Sequence, residues 1–205
     1  EYLNKAEFFS IIANFKKKIK NFKLADKILI PAGGKSIRFK NEGIHVPKHF
    51  YFIKDIKERL IDYISQYLPK KNKILITYKN SIPKIINKKN FKFFYIKKRS
   101  KGQAETISEY LNKLKKDETF FVNSCDVFST FNLKKYLKLK ESSDIIIFVS
   151  SKSFVDLPVN AYSWVEIHNN ILKNIYIKKK PKNNLKIITG NFFFKNKDIY
   201  LNCYS

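Results

Sequence analysis

Short apolar runs alternate along the chain with longer stretches that carry apolar residues at helical spacing. The runs are rich in β-branched and aromatic residues, which favours strands over helices at these lengths. Predicted strands lie at 28–30, 73–79, 91–97, 119–128 (with a polar end), 144–151 and 186–194. Predicted helices lie between them at 56–68, 82–87, from 104 onward and at 133–139. This alternation indicates βαβ units around a largely parallel sheet, in which 144–151 is expected to be a central strand.

Residues 161–181 have a different pattern, which is typical of a β-hairpin. Asn169 and Asn170 stand between two strand-like runs, and asparagine tolerates the left-handed backbone of a tight turn. We expect Trp164 and Ile167 to face the core from this hairpin.

Ahead of the first predicted strand, residues 6–23 predict a basic amphipathic helix. Its apolar residues recur at helical spacing, with lysines between them; they are Phe8, Ile11, Ile12, Phe15, Ile19 and Phe22. Such a helix packs on its own domain or on a missing upstream domain, or it lies on a membrane or a partner. We expect residues 1–25 to form a helical extension and residues 26–205 to form one domain.

The composition is that of a globular protein with one sizeable core, because 44% of the 205 residues are hydrophobic. No apolar run is long enough to span a membrane. Cys125 and Cys203 are too few for a disulfide framework, which suits a reducing, cytoplasmic compartment. Since the chain contains no methionine, not even an initiator, we expect it to begin inside a longer product or to have been trimmed. We also expect the domain at 26–205 to be truncated at its C-terminus, with further domains of the same parent chain or a second copy of the chain as partners.

The net charge of +25 raises the question of nucleic-acid binding. Proteins that recognise DNA grooves and phosphates rely on the guanidinium group of arginine, yet the arginines of this chain are only Arg38, Arg59 and Arg99. Its lysines are spread over every segment rather than gathered in a patch. We therefore expect attraction to polyanions at low salt, without specific nucleic-acid recognition.

A glycine-rich loop follows the first buried strand and has the form of a phosphate cradle. Gly33 and Gly34 allow backbone amides to approach an anion, and Arg38 and Lys48 would add positive charge beside it. The loop matches neither the P-loop nor the dinucleotide-binding glycine pattern. Read without context, it is equally a strand-to-loop turn in a lysine-rich chain.

The segment "AGGKSIRF", followed by "PK", resembles the signature of the nucleotidyltransferases with a GT-A-like fold. These include sugar-1-phosphate nucleotidyltransferases, small cytidylyltransferases and molybdenum-cofactor guanylyltransferases. The positions that carry the resemblance are Gly33, Gly34, Ser36, Arg38, Phe39, Pro47 and Lys48. It implies a Rossmann-like, three-layer α/β sandwich around a mostly parallel, mixed sheet. It also implies that Arg38 and Lys48 contact a nucleoside triphosphate, which is bound by Ala32, Gly33, Gly34 and Ser36.

Two later segments extend the resemblance in the expected order. In the family, a segment like Gly102-Gln103-Ala104 binds the base and ribose; the residues alone equally indicate a helix N-terminus. Asp126 follows a buried strand, where the family has a Mg²⁺-binding aspartate; the alternative is a turn or capping aspartate. Cys125 is expected to be a small buried residue rather than a nucleophile.

The acceptor side of the resemblance rests on weaker matches. Lys180 precedes Pro181 as in the family's "EKP" segment, although Lys179 replaces the glutamate. Gly190 and Asn191 fall on a late strand that approaches the acceptor substrate. No second metal-binding aspartate is evident, since Asp198 lacks context. The histidines have no ligand spacing, and we expect them on loops or the surface, with His49 able to line the acceptor pocket.

The resemblance implies a Mg²⁺-dependent transfer of a nucleotidyl group from an NTP to a phosphorylated small molecule, with release of pyrophosphate. CTP is the expected nucleotide because small cytidylyltransferases share this compact form. A sugar phosphate or a phosphocholine-like acceptor would place the reaction in the synthesis of a polysaccharide or lipid precursor. A GT-A glycosyltransferase and a non-catalytic nucleotide-binding relative within a larger protein are the alternatives.

Overall fold

The computed structural model of the chain describes residues 5–79, 90–114, 117–150, 163–177 and 186–204. The helices are α1 (Lys5–Ile19), α2 (Ile37–Asn41), α3 (Leu60–Ser65), α4 (Gln103–Leu111), α5 (Leu133–Ser142) and α6 (Lys197–Tyr204). The strands are β1 (Lys27–Ala32), β2 (Phe52–Ile53), β3 (Glu58–Arg59), β4 (Lys73–Tyr78), β5 (Lys92–Ile96), β6 (Phe120–Asn123), β7 (Ile145–Ser150), β8 (Ser163–His168), β9 (Ile171–Ile177) and β10 (Lys186–Phe194).

One mixed sheet organises the described chain. Its strands follow the order β5-β4-β1-β6-β10-β8-β9, and β7 pairs with β10. The ladders that join β5, β4, β1 and β6 are parallel, whereas β10 runs antiparallel to β6, β7 and β8. β7 and β8 therefore share the direction of β6, and among the described strands of this sheet only β10 and β9 oppose it. The mostly parallel, mixed sheet expected from the sequence is confirmed.

The central strands are buried on both faces, which explains their continuous apolar runs. Ile28 and Ile30 of β1 point to the side where α1 and α5 pack, whereas Leu29 points to the side of α4 and α6. This alternation is the two-residue period of a strand. Helices therefore cover both faces of the sheet, and the three-layer sandwich is confirmed.

Helix α1 packs on the core of the sheet. Phe15 and Ile19 belong to the same buried cluster as Ile28, while Phe9 and Ile11 stay exposed. The helix thus uses one apolar face for packing on its own domain. In the described part of the chain, no helix has the length and apolarity needed to cross a membrane.

Three local expectations differ from the structure. The helix predicted at 56–68 begins only at Leu60, because 54–57 form a turn that lets β3 pair with β2. β7 was expected to be central, but among the described strands it pairs with β10 alone. The short helix predicted at 82–87 lies outside the described residues.

The β8–β9 hairpin is confirmed, with Asn169 and Asn170 both at positive φ in its turn. Its buried residue is Val165, however, whereas Trp164 and Ile167 are only half-buried. Trp164 is less buried because it lies on the opposite strand face from its neighbour Val165. Ile167 does not share the burial of Val165 because the register shifts between Glu166 and Ile167, which interrupts the alternation of faces.

Candidate functional site

A cavity of about 480 Å³ opens at the edge of the sheet where the parallel strands end. β1 ends at Ala32, β6 ends just before Ser124, and the segment after β5 leads into α4. Because the carboxyl ends of parallel strands meet at one edge, the three loops surround a common space. The sequence-predicted residues among its lining are Ala32, Gly34, Ser36, Lys48, Gly102, Gln103 and Asp126.

Gly33 is not among the described lining residues, but it permits close packing between the β1 loop and the segment that runs from β5 into α4. A Cβ atom at this position would lie 2.5 Å from Ile96 Cδ1 and 2.8 Å from Thr106 Oγ1. A side chain at this position would therefore force Ile96, Ser100 or Thr106 to shift, whereas glycine lets the β1 loop pack against the end of β5 and the first turn of α4. The backbone N–H of Ser100 also donates to the Gly33 carbonyl at 3.2 Å.

Ser36 connects the glycine loop to the Pro47-Lys48 segment. Its Oγ accepts a hydrogen bond from the backbone N–H of Lys48 at 3.3 Å, and its own φ is +52°. Lys48 begins a short 3-10 turn that ends at Phe50. The two halves of the sequence signature are thus joined directly, which explains why the serine and the "PK" pair belong to one pattern.

Lys48 forms an ion pair with Asp126 across the cavity, with Nζ 2.6 Å from Oδ2. The other carboxylate oxygen accepts from Ser124 Oγ at 2.6 Å. Burial by itself would raise the pKa of Asp126, but the charge of Lys48 and these hydrogen bonds lower it below its usual value. Asp126 is therefore ionised at neutral pH.

Asp126 is the one carboxylate among the described residues that line the cavity, and its side chain keeps 34% of its accessible area. Within the described residues, no group of three or more histidine, cysteine or acidic side chains is placed to hold a metal ion. Mg²⁺ commonly uses one or two carboxylates together with water and substrate phosphates. A single ionised and accessible carboxylate fits that kind of site, but not a closed metal site made by the protein alone.

Helix α4 brings Gly102 and Gln103 to the cavity. Gly102 is the N-cap, and its carbonyl accepts from Thr106 Oγ1 at 3.0 Å. Gln103 Nε2 donates to the Gly190 carbonyl at 3.5 Å. Ala104 lies outside the cavity lining, where its carbonyl accepts from the Tyr200 hydroxyl at 2.9 Å.

Gly190 and Asn191 lie beside the cavity on β10. Gly190 has a φ of +82°, and its carbonyl accepts from the Ser124 N–H at 3.2 Å. A Cβ there would lie 3.1 Å from Ser124 Cβ, so the glycine permits this close contact. Asn191 is buried and donates through Nδ2 to Ser129 Oγ at 2.6 Å.

Two predicted residues cannot be placed in the site. Arg38 lies on α2, where only its backbone is described. Lys180 lies outside the described residues, together with Lys179 and Pro181.

His49 is buried in the cavity wall, so the expectation of a surface position was wrong for this histidine, although the sequence did suggest that it could line a pocket. Its Nε2 lies 3.5 Å from Thr77 Oγ1, and Thr77 donates to the Ala32 carbonyl at 3.3 Å. Burial, followed by the charges of Lys48 and Arg99, lowers the pKa of His49 to about 3. The imidazole is therefore neutral at any physiological pH.

Because the folded protein keeps His49 neutral, its stability should depend on pH in a predictable way. In the unfolded chain this side chain takes up a proton near pH 6.5, and in the folded chain only near pH 3. As the pH falls through that window, His49 should reduce the free energy of unfolding by up to about 1.4 kcal/mol per pH unit. Urea denaturation of wild type and His49→Gln between pH 3 and 7 should show the smaller pH dependence in the variant. The exposed His168→Gln is the control, and equal slopes for wild type and His49→Gln would contradict a buried neutral imidazole.

Cys125 lines the cavity but is unsuited to nucleophilic catalysis. Burial, with the nearby charge of Asp126, raises the pKa of its thiol to about 12. The expectation that Cys125 is a buried residue is confirmed.

The cavity is also lined by residues to which the sequence pattern gave no binding role. They are Pro31, Lys35, Ile37, Phe39, Lys101, Thr106 and Ser124. Two of them stood close to a signal in the sequence, because Phe39 is part of the signature and Ser124 stands two residues before Asp126. Lys35 and Lys101 could not be singled out in a chain so rich in lysine.

No family model matches the chain, and no curated protein matches its sequence. Solved structures do match. The inositol-1-phosphate CTP transferase from T. maritima has a TM-score of 0.62 and 22% identity, over 86% of this chain and 72% of the other. A UDP-glucose pyrophosphorylase bound to UDP-glucose has a TM-score of 0.61 and 18% identity, over 86% and 78%.

A third structure is CMP:2-keto-3-deoxy-manno-octonic acid synthetase in complex with CTP. Its TM-score is 0.60 with 12% identity, over 86% of this chain and 76% of the other. Similarity at this level of identity is a similarity of fold. The chain therefore has the α/β fold of the sugar-phosphate nucleotidyltransferases and cytidylyltransferases, as the resemblance of its glycine loop predicted.

Proposed function

We propose that the protein is a cytoplasmic, Mg²⁺-dependent nucleotidyltransferase. It would transfer a nucleotidyl group from an NTP to a phosphorylated small molecule and release pyrophosphate. The observation that carries this proposal is that the glycine loop, the Lys48–Asp126 ion pair and the N-terminus of α4 meet at one cavity. The similarity in fold to proteins named as nucleotide and CTP transferases supports it.

The groups in the cavity suit transfer of a nucleotidyl group more than covalent catalysis. An oxygen of the acceptor phosphate would attack the α-phosphorus, and the bond to the leaving pyrophosphate would break. Lysines at positions 35, 48 and 101 surround the space and can neutralise a triphosphate. An acceptor phosphate is already ionised, so the reaction needs no general base. This agrees with a pKa of about 3 for His49, which makes its imidazole a weak base, and with a Cys125 thiol that stays protonated.

Each of the main polar residues at the cavity has a proposed role in binding the substrates or the metal ion. Lys48 would bind the triphosphate in exchange for Asp126, and Asp126 would hold Mg²⁺. The metal ion would supply further neutralisation of phosphate charge when bound. Gln103, whose amide can donate and accept, would contact the base or ribose, together with Gly102.

The roles of Arg38 and Lys180 remain part of the proposal. Arg38, like Lys48, would contact the triphosphate, and Lys180 would bind the phosphate of the acceptor. Gly190 and Asn191 would be further acceptor-binding residues. CTP is the proposed nucleotide, and a sugar phosphate or phosphocholine-like molecule is the proposed acceptor. The product would be a precursor for a polysaccharide or lipid.

A second candidate is a relative that binds nucleotide without turning it over. It is favoured by one observation, which is that Asp126 is the only carboxylate among the described residues lining the cavity. Such a protein would retain nucleotide affinity while lacking pyrophosphate release.

The test is pyrophosphate release in the presence of Mg²⁺, with each NTP in turn and a panel of phosphorylated acceptors. We expect release with one NTP–acceptor pair, together with thermal stabilisation by that NTP. Stabilisation without release for any pair would favour the binding-only relative. Consumption of a nucleotide sugar without pyrophosphate would indicate a glycosyltransferase. An absence of both stabilisation and release would refute the proposal.

A further inference from the structure

Both carbonyl groups of the double glycine are bonded to one short segment, Arg99-Ser100. Ser100 N–H donates to the Gly33 carbonyl at 3.2 Å, and Arg99 Nη1 donates to the Gly34 carbonyl at 3.3 Å. The segment follows β5 and precedes α4, so it lies 65 residues beyond the loop that it contacts. The sequence indicated a role for the glycines but none for Arg99.

Because the peptide bond is planar, these two contacts also fix the direction of the N–H groups that follow Gly33 and Gly34. In a trans peptide, the carbonyl of one residue and the N–H of the next point in opposite directions, and no cis peptide occurs in the described chain. With the Gly33 and Gly34 carbonyls turned to Arg99-Ser100, the N–H groups of Gly34 and Lys35 are turned away from that segment. Gly34 and Lys35 both line the cavity. Successive backbone N–H groups directed to one side make an anion-binding nest.

Arg99 is held in place from the neighbouring strand. Its guanidinium lies over the ring of Tyr78, with 5.5 Å between Cζ and the ring centroid, and Tyr78 is the last residue of β4. A planar guanidinium can stack on a ring and donate from its edge at the same time, which an ammonium group cannot do. The described lining of the cavity includes Lys101 but not Arg99. Arg99 is thus placed to act on the loop rather than on a ligand.

We propose that Arg99 is a positioning residue of the phosphate loop. It holds the Gly34 carbonyl so that the amides of Gly34 and Lys35 face the phosphate chain of a bound nucleotide. This inference rests on the proposed function, because it takes the cavity to bind a phosphate chain. It does not require that the protein turns the nucleotide over.

The test is binding of inorganic tripolyphosphate to the whole protein, followed by calorimetry and by ¹H–¹⁵N NMR of the backbone amides. In the wild type, the Gly34 and Lys35 amide signals should shift on titration. In Arg99→Met, the dissociation constant should rise on the order of tenfold, as for a lost hydrogen bond to a charged group, and both amide shifts should shrink. Tyr78→Leu keeps the charge of Arg99 but removes its support, so it should weaken binding by a smaller factor.

Lys98→Met is the matched control, because it removes one positive charge from an exposed neighbour of Arg99. It should change the dissociation constant less than Arg99→Met does. The free energy of unfolding of all variants, measured with urea, shows whether weaker binding merely reflects a less stable fold. The expected result is that Arg99→Met has the stability of the wild type and smaller shifts of the Gly34 and Lys35 amide signals.

Three results would overturn the inference, and they differ in what else they refute. If tripolyphosphate leaves the wild-type Gly34 and Lys35 signals unchanged, the loop binds no phosphate chain and the proposed function also fails. If Arg99→Met binds and responds like the wild type, only the positioning role fails. If binding weakens but the two amides respond as in the wild type, Arg99 acts on the ligand through its charge alone.

Discussion

Lys48→Ala should lower kcat/KM for the productive NTP–acceptor pair by about 10²- to 10³-fold, the usual cost of losing one group that stabilises transition-state charge. Lys48 is the cation that the structure places directly opposite Asp126, at 2.6 Å, and Ser36 anchors its backbone to the glycine loop. Its loss removes a charge from the phosphate site and the partner from Asp126. The measurement is the steady-state rate of pyrophosphate release over a range of NTP concentrations.

The exposed Lys71→Ala provides the matched control for the loss of one charge from a strongly basic protein. Lys48→Ala and Asp126→Ala combined should cost less than the product of the two single effects, because each single variant already breaks the shared ion pair. Activity of Lys48→Ala within about threefold of the control would refute the role of this lysine, since the expected loss is far larger.

Gly33→Ala should destabilise the fold as well as the site. The added Cβ would meet Ile96 Cδ1 at 2.5 Å and Thr106 Oγ1 at 2.8 Å, so these side chains or the β1 loop would have to shift. Overpacking of this kind costs about 1–3 kcal/mol. We expect a loss of that size in the free energy of unfolding measured with urea, and weaker binding of the NTP that stabilises the wild type.

Gly34→Ala is the matched control for the loss of a glycine in the same loop. Nothing lies within 4 Å of a Cβ built at Gly34, so its stability should stay within about 0.5 kcal/mol of the wild type. Equal stability of Gly33→Ala and Gly34→Ala would show that the close packing behind the cavity does not matter for the fold.

Much of the fold could be predicted because its signals are local. The buried strands of the sheet centre appear as continuous apolar runs, and the two positive-φ asparagines mark the hairpin turn. The errors lie where a local pattern is ambiguous. Residues 56–59 fit a helical spacing, but Lys57 adopts a φ of +52° in a turn and β3 pairs with β2. Only the tertiary pairing decides between these two structures.

The candidate site was predicted in part, for the same reason. Gly33, Gly34, Ser36 and Lys48 form a recognisable pattern because they lie within one short segment. The partners of that segment are remote: Asp126 is 78 residues from Lys48, and Gly190 is 87 residues from Gln103. The resemblance supplied candidates for those positions, but no spacing in the sequence could show that they meet.

The sequence by itself determined the alternation of strands and helices, the glycine loop and the residue types available for binding phosphate, because these depend on neighbouring positions. The tertiary structure decided which face of each strand is buried, which side chains a Cβ at Gly33 would meet and that Arg99 contacts the loop. It also decided the ionisation of His49, which follows from burial and from the charges of Lys48 and Arg99. Such properties arise only when the folded chain brings distant groups together in a space that excludes water.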